Sequence, residues 1–222
     1  MHVTEADDRD RPGDDDVDLI EVDLAAADGS LALWLRLETR RSAGTTGFLA
    51  TVLVAGEDPV VVIDQELPLA RGAFEYRAPG VWTEFVCETP LEHWTVGLEA
   101  FGLRVDPAEV VGPDTYGERV PVGLDLDLET TTAAEGDAAS FVVGIAGHGE
   151  VLLEDRAWEL DAIGQRQRVR SGLRAASMLD SAVAILGEVA VAWPTARGDV
   201  PLRRGWVGGN RPGWVDLPQS AE

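Results

Sequence analysis

Between Val81 and Phe101 the chain gathers Trp82, Glu84 and Glu88, then His93, Trp94 and Glu99, a set of carboxyls, one imidazole and two indoles on a short stretch. These residue types suit acid–base work. A carboxyl group taken out of water among apolar side chains has its pKa raised and can act as a general acid near neutral pH. His93 brings the one side chain whose ordinary pKa already lies there. Glu84, Glu88 and His93 are therefore the candidate catalytic residues, and Trp82, Trp94, Glu99 and Phe101 the candidate ligand contacts. The plainer alternative is that glutamates on strands face water and tryptophans pack. His148, between two glycines, suits a turn, and His2 is assigned no role. A second candidate lies downstream, where Gln165 to Arg174 holds four arginines and no acid. It is the best anion contact in the chain, suited to a carboxylate or phosphate head group, with Arg166 and Arg168 as its contacts.

The elements that must position these side chains have a period of two. From Leu31 to Leu37 every odd residue is leucine, while Trp34, Arg36 and Glu38 point the other way. Phe48 to Ala55 and Val60 to Ile63 are short apolar runs around the turn Gly56 to Pro59. In Val81 to Glu88, Trp82, Glu84, Val86 and Glu88 share one face. In His93 to Val105, Trp94, Val96, Leu98 and Ala100 share one face, and His93, Thr95, Gly97, Glu99 and Phe101 the other. Val120 to Glu129 alternates apolar with acidic residues, and Phe141 to Ile145, Glu150 to Leu153 and Arg156 to Leu160 continue the series, the last two around the turn Glu154-Asp155. Helix is scarce: one turn at Pro107 to Val111 behind Asp106, and a stretch, Leu173 to Trp193, that fits helix in its first half and strands in its second. The expected fold is all-β with very little helix, an antiparallel β-barrel or a two-sheet β-sandwich.

Composition bounds the partners. The 222 residues carry 40 acidic and 18 basic side chains, a formal charge of −22, and every basic residue is arginine. An excess of this size repels a phosphate backbone, so nucleic acid is not an expected partner, and neither is an anionic membrane surface. One cysteine, Cys87, excludes an internal disulfide and suits a reducing interior. No apolar run approaches the ~20 residues of a membrane-spanning helix and no secretory signal is evident, so a cytoplasmic location is expected, with no integral membrane segment. Residues 1–23 hold ten acids and two arginines. Residues 1–17 are thus expected to be an acidic disordered tail whose removal, to residue 16, leaves the melting temperature nearly unchanged. The β domain is expected at 18–193 and a Pro/Gly/Arg-rich segment at 194–222, where regular structure is not expected. No metal site and no cofactor are expected, and nothing in the sequence sets the oligomeric state.

The run Gly80-Val-Trp82-Thr-Glu84-Phe-Val-Cys-Glu88-Thr-Pro90-Leu-Glu-His93-Trp94-Thr-Val-Gly97-Leu-Glu99-Ala-Phe101-Gly102, with Gly117 to Pro121, Asp125 to Glu129, Gly147 to Glu150 and Trp158 to Arg166, resembles bacterial proteins related to hydroxyneurosporene synthase, the carotenoid 1,2-hydratase group. The resemblance spans roughly residues 75 to 170. It implies a lipocalin-like barrel around an apolar ligand, with chemistry, where there is any, beginning by protonation of an alkene and the tryptophan faces steadying a carbocation. Where that group continues Gly-Gln-Arg with an Asp-His-Ser-Trp-Gly type of sequence, this chain reads Gln167, Arg168, Val169, Arg170 and Ser171 after Arg166. An amide and a guanidinium thus replace the acid–base pair, and a guanidinium does not release its proton. The family's tandem barrels are also longer than this chain allows, so the second is expected to be truncated or merged. The resulting expectation is binding of a hydrophobic small molecule (isoprenoid, polyketide or lipid) in a barrel cavity without catalysis. Two alternatives remain open: a hydratase, cyclase or isomerase using Glu84 or Glu88, and a protein-interaction module using the arginine strip.

Overall fold

The structure, a computed structural model, describes residues 2–9, 17–105 and 117–170, and the backbone of 191–195 and 198–202. After a 3-10 turn at Glu5–Asp8 come β1 (Val17–Ala26), β2 (Leu31–Arg40), β3 (Thr45–Val54), β4 (Val60–Pro68), β5 (Phe74–Ala78), β6 (Val81–Thr89), β7 (His93–Arg104), β8 (Glu118–Thr130), β9 (Glu135–Gly136), β10 (Ser140–Leu153) and β11 (Arg156–Arg170). Every pairing is antiparallel. β1 to β4 form a meander, β11 joins β1, and β10, β8 and β7 follow in turn. β4 then meets β7 at Val60↔Arg104 and Val61↔Leu103. The pairing returns on itself, so eight strands (β1, β2, β3, β4, β7, β8, β10, β11) close a ring, and closure removes the edges that an open sheet would expose. The hairpin β5–β6 hangs on the remainder of β7, with β6 along residues 93–100. The all-β expectation holds.

Alternation decides what is inside. Leu31, Leu33, Leu35 and Leu37 of β2 and Val120, Val122, Leu124, Leu126 and Leu128 of β8 all belong to one continuous core. Between them on β8, Asp125 and Asp127 are exposed. Strands β2 to β4 are buried on their outer face as well, where Leu49, Val61 and Val105 make a second cluster with Trp34, Ile63 and Leu103. The runs Phe141 to Ile145 and Glu150 to Leu153 prove to be one strand of 14 residues, β10. They join through Gly149 at φ 142°, which lies so close to the Asp125 backbone of β8 that a side chain would collide with it. The turn Glu154-Asp155 stands where expected, with Glu154 in the left-handed region at φ 59°.

Two expectations are corrected. Residues 2–9 are not a solvated tail: Asp8 is fully buried and Val3 packs on the core, because barrel arginines give this segment partners that its own composition does not disclose. Val191–Thr195 and Gly198–Leu202 pair as an antiparallel hairpin, β12 and β13, so regular structure continues past Trp193 into a region expected to lack it. Among the described residues both strands are edges of a two-stranded ribbon, where prolines are tolerated. The expected turn at Pro107 to Val111 and residues 173–190 of the ambiguous stretch lie outside the described residues. Among the described residues no helix is long and apolar enough to cross a membrane.

Candidate functional site

Closure sends the candidate residues to two places. At one end of the barrel, where the β5–β6 turn and the start of β8 come together, Arg77, Ala78, Gly80, Val81, Trp82, Glu99, Ala100, Phe101, Pro121 and Val122 line an open groove of about 480 Å3. Gly80, at φ 88°, makes the tight turn, and its carbonyl accepts the N–H of Phe101. Trp82 lies flat across β7 because residue 97 is glycine; a Cβ there would stand 3.0 Å from the indole. Each aromatic ring of the groove carries a guanidinium: Arg77 at 5.8 Å from the Trp82 centroid and Arg119 at 4.2 Å from that of Phe101. Arg77 also donates two bonds to Glu75, at 3.0 and 2.9 Å, and these hold the Glu75 carboxyl below its ordinary range, helped by the Trp82 indole. Glu99 makes no ion pair with any described residue, and Phe101 is 51% exposed. An apolar floor, two cation-capped rings and one open carboxylate suit a small molecule that is mostly apolar.

Glu84, Glu88 and His93 do not line an interior. On β6 the inward residues are Val81, Thr83, Phe85 and Cys87, so Trp82, Glu84 and Glu88 fall on the outer wall, Glu88 exposed and Glu84 against Gly97. His93 is also outside, with Nε2 2.9 Å from Asp127 Oδ1 on the exposed face of β8. The premise that these carboxyls sit among apolar side chains inside a cavity is thereby corrected: parity puts them on the wet side. Trp82 and Trp94 lie on opposite sides of the wall, since Trp94 is 1% exposed and faces in. Among the described residues no three His, Cys, Asp or Glu side chains gather as metal ligands would.

Trp94, Arg166 and Arg168 meet instead at the other end. The parity of β11 that buries Leu160 and Ala162 also turns Arg166 and Arg168 inward, and both are essentially fully buried. The arginine strip therefore does not present these cations to solvent. Arg168 is gripped by Asp18 of β1, its Nε and Nη2 donating at 3.0 and 2.9 Å, and its Nη1 reaches the carbonyls of Asp7 and Arg9. Among the described residues Arg166 has no barrel carboxylate as a partner. Its Nη1 and Nη2 donate to Asp8 at 2.5 and 2.9 Å. The same carboxylate accepts the Trp94 indole N–H at 3.0 Å and the backbone N–H of Leu91 at 2.6 Å. Arg166 stacks 4.5 Å over Trp94, Arg168 5.3 Å over Phe74, and the two rings are 6.5 Å apart. Asp7 folds the segment on itself by accepting the N–H and hydroxyl of Thr4, which lowers its own pKa. Beside the pair, Tyr76 is 2% exposed; its hydroxyl faces those of Thr39 and Thr46 without a hydrogen bond of ordinary geometry, and burial raises its pKa. The even-residue parity of β11 was the signal that could have placed the arginines inside. Nothing in the acidic run pointed to Asp8 as their partner. Compared with family models, with curated proteins and with solved structures, the chain matches none.

Proposed function

We propose that this protein binds a hydrophobic small molecule, of isoprenoid, polyketide or lipid type, in the groove between Trp82 and Phe101, and does not transform it. The observation that carries the reading is the groove itself: about 480 Å3 of space walled by Trp82, Phe101, Pro121 and Val122, within the ~300–1,000 Å3 usual for small-molecule sites. The placement of the carboxyl candidates for alkene protonation favours binding over turnover, because Glu84 and Glu88 stand on the outer wall of β6 and are not enclosed among apolar side chains. The closed antiparallel ring is in keeping with the resemblance to lipocalin-like carotenoid hydratase relatives, and the single cysteine with a cytoplasmic location.

Retinol, a neutral fluorescent isoprenoid, tests this. Phe101 is 51% exposed; covering about half of a roughly 200 Å2 aromatic side chain at ~25 cal/mol per Å2 is worth on the order of 2 kcal/mol, or about 30-fold in Kd. Trp82→Ala and Phe101→Ala are each expected to weaken retinol binding at least tenfold while the fold persists. Equal affinity of wild type and the double variant, or none in wild type, overturns the reading. Mass-spectrometric detection of a hydrated product that disappears with Glu84→Gln would replace it with the hydratase alternative.

A further inference from the structure

We infer that the Arg166 mouth is a carboxylate-binding site of the barrel, occupied in this state by the chain's own Asp8, and that a monocarboxylate with an apolar tail can take Asp8's place and release residues 2–9. This site lies at the opposite end from the groove and does not depend on it.

The four donors that meet the Asp8 carboxylate, two from Arg166, one from Trp94 and one from Leu91, all belong to the barrel, whereas the acceptor belongs to a separate short segment. Among the described residues the barrel supplies its own acid for the neighbouring arginine, Asp18 for Arg168, and supplies none for Arg166. With the segment displaced, the Arg166 guanidinium against the Trp94 ring and the Trp94 and Leu91 N–H groups would keep their places and be left without the carboxylate they now share, which another carboxylate could supply. The fork geometry of Arg166 and the two further N–H groups match the two oxygens of a carboxylate. Leu91 holds its donor in place from the left-handed region, φ 63°, a conformation that costs an L-residue energy and that recurs at binding sites. The apolar tail is implied by what surrounds the cradle: Phe74 and Trp94 wall it, and Val3 of the displaced segment packs on the core that a tail would then cover.

Because Asp8 competes from within the chain, at an effective concentration of roughly millimolar or above, its removal should strengthen binding of an external carboxylate. Decanoate, with methyl decanoate as the uncharged control, is titrated into full-length wild type, Asp8→Ala and Asp8→Ala/Arg166→Met, with amide hydrogen exchange of residues 2–9 followed in wild type. Decanoate is expected to bind Asp8→Ala at least tenfold more tightly than wild type. It should deprotect residues 2–9 of wild type as it binds, and fail to bind the double variant, and the methyl ester should bind none of the three at this site. Should Asp8→Ala unfold at the working temperature, acetate is expected to refold it saturably where chloride at equal ionic strength does not. The inference is overturned if Asp8→Ala binds no tighter, if binding survives loss of Arg166, if residues 2–9 stay protected in the wild-type complex, or if acetate fails to rescue an unfolded variant. Decanoate binding that is lost in Trp82→Ala but kept in Asp8→Ala/Arg166→Met would place the fatty chain in the groove and equally overturn it.

Discussion

Replacing Asp8 by alanine tests most directly whether eight residues outside the sheet matter to the stability of the whole barrel. The carboxylate is fully buried and neutralises a guanidinium that is 1% exposed, with the Trp94 and Leu91 N–H groups as further donors. Removing one partner of such a pair leaves an uncompensated buried charge and costs about 3–5 kcal/mol. In a domain of this size each kcal/mol moves Tm by roughly 2–4 °C, so Asp8→Ala should lower it by about 6–20 °C, read by calorimetry or by circular dichroism on heating. Removing Arg166 at the same time should return most of the loss. A methionine there fills similar volume without charge, and an apolar substitute for a buried pair is often close to neutral, so Asp8→Ala/Arg166→Met is expected within about 1–2 kcal/mol of wild type in urea unfolding. An Asp8→Ala variant that melts within a degree or two of wild type would show that the segment is no part of the fold and that the acidic composition of residues 1–23 described it adequately. A double variant as unstable as the sum of its singles would show that packing, and not charge, holds the segment down.

Two further outcomes follow from named contacts. Glu57 accepts from Arg156 at 2.6 Å and from Arg104 at 3.5 Å, tying the β3–β4 turn to β7 and the β10–β11 turn. The Arg156 bond, opposed by burial, holds the Glu57 carboxyl below its ordinary value of 4.5. Its stabilisation is therefore complete above about pH 4.5 and is lost as pH falls through the folded-state value. Glu57→Gln should cost about 1 kcal/mol at pH 7, and the gap from wild type should narrow as pH falls below the ordinary carboxyl value of 4.5 in a Tm-against-pH series; a gap that does not shrink on acidification would contradict this. Gly97→Ala places a methyl 3.0 Å from the Trp82 ring on the outer wall, so it should lift the indole and weaken retinol binding several-fold with less than ~1 kcal/mol change in stability. Unchanged affinity would mean that Trp82 does not touch the ligand.

Period-two alternation alone marked most of the strands between Leu31 and Leu160, which residues share a face, and the main turns, because a half-buried strand must write apolar residues at every second position; it did not mark β5 and it divided β10 into two runs. It also paired Trp82 with Glu84 and Glu88 on one face and set Trp94 on another strand's apolar face. Two things it left to tertiary structure. Parity says which residues share a face but not which face is enclosed, and β6 and β7 carry tryptophan on faces of opposite fate; only ring closure put Trp82 in an outer groove and Trp94 in the core. Composition, averaged over residues 1–23, describes the water-seeking majority and cannot single out one aspartate whose partner, Arg166, stands 158 residues away. A buried cation is satisfied by whatever carboxylate the fold brings within bonding distance, and that distance exists only after β11 has closed against β1 and turned its arginines inward.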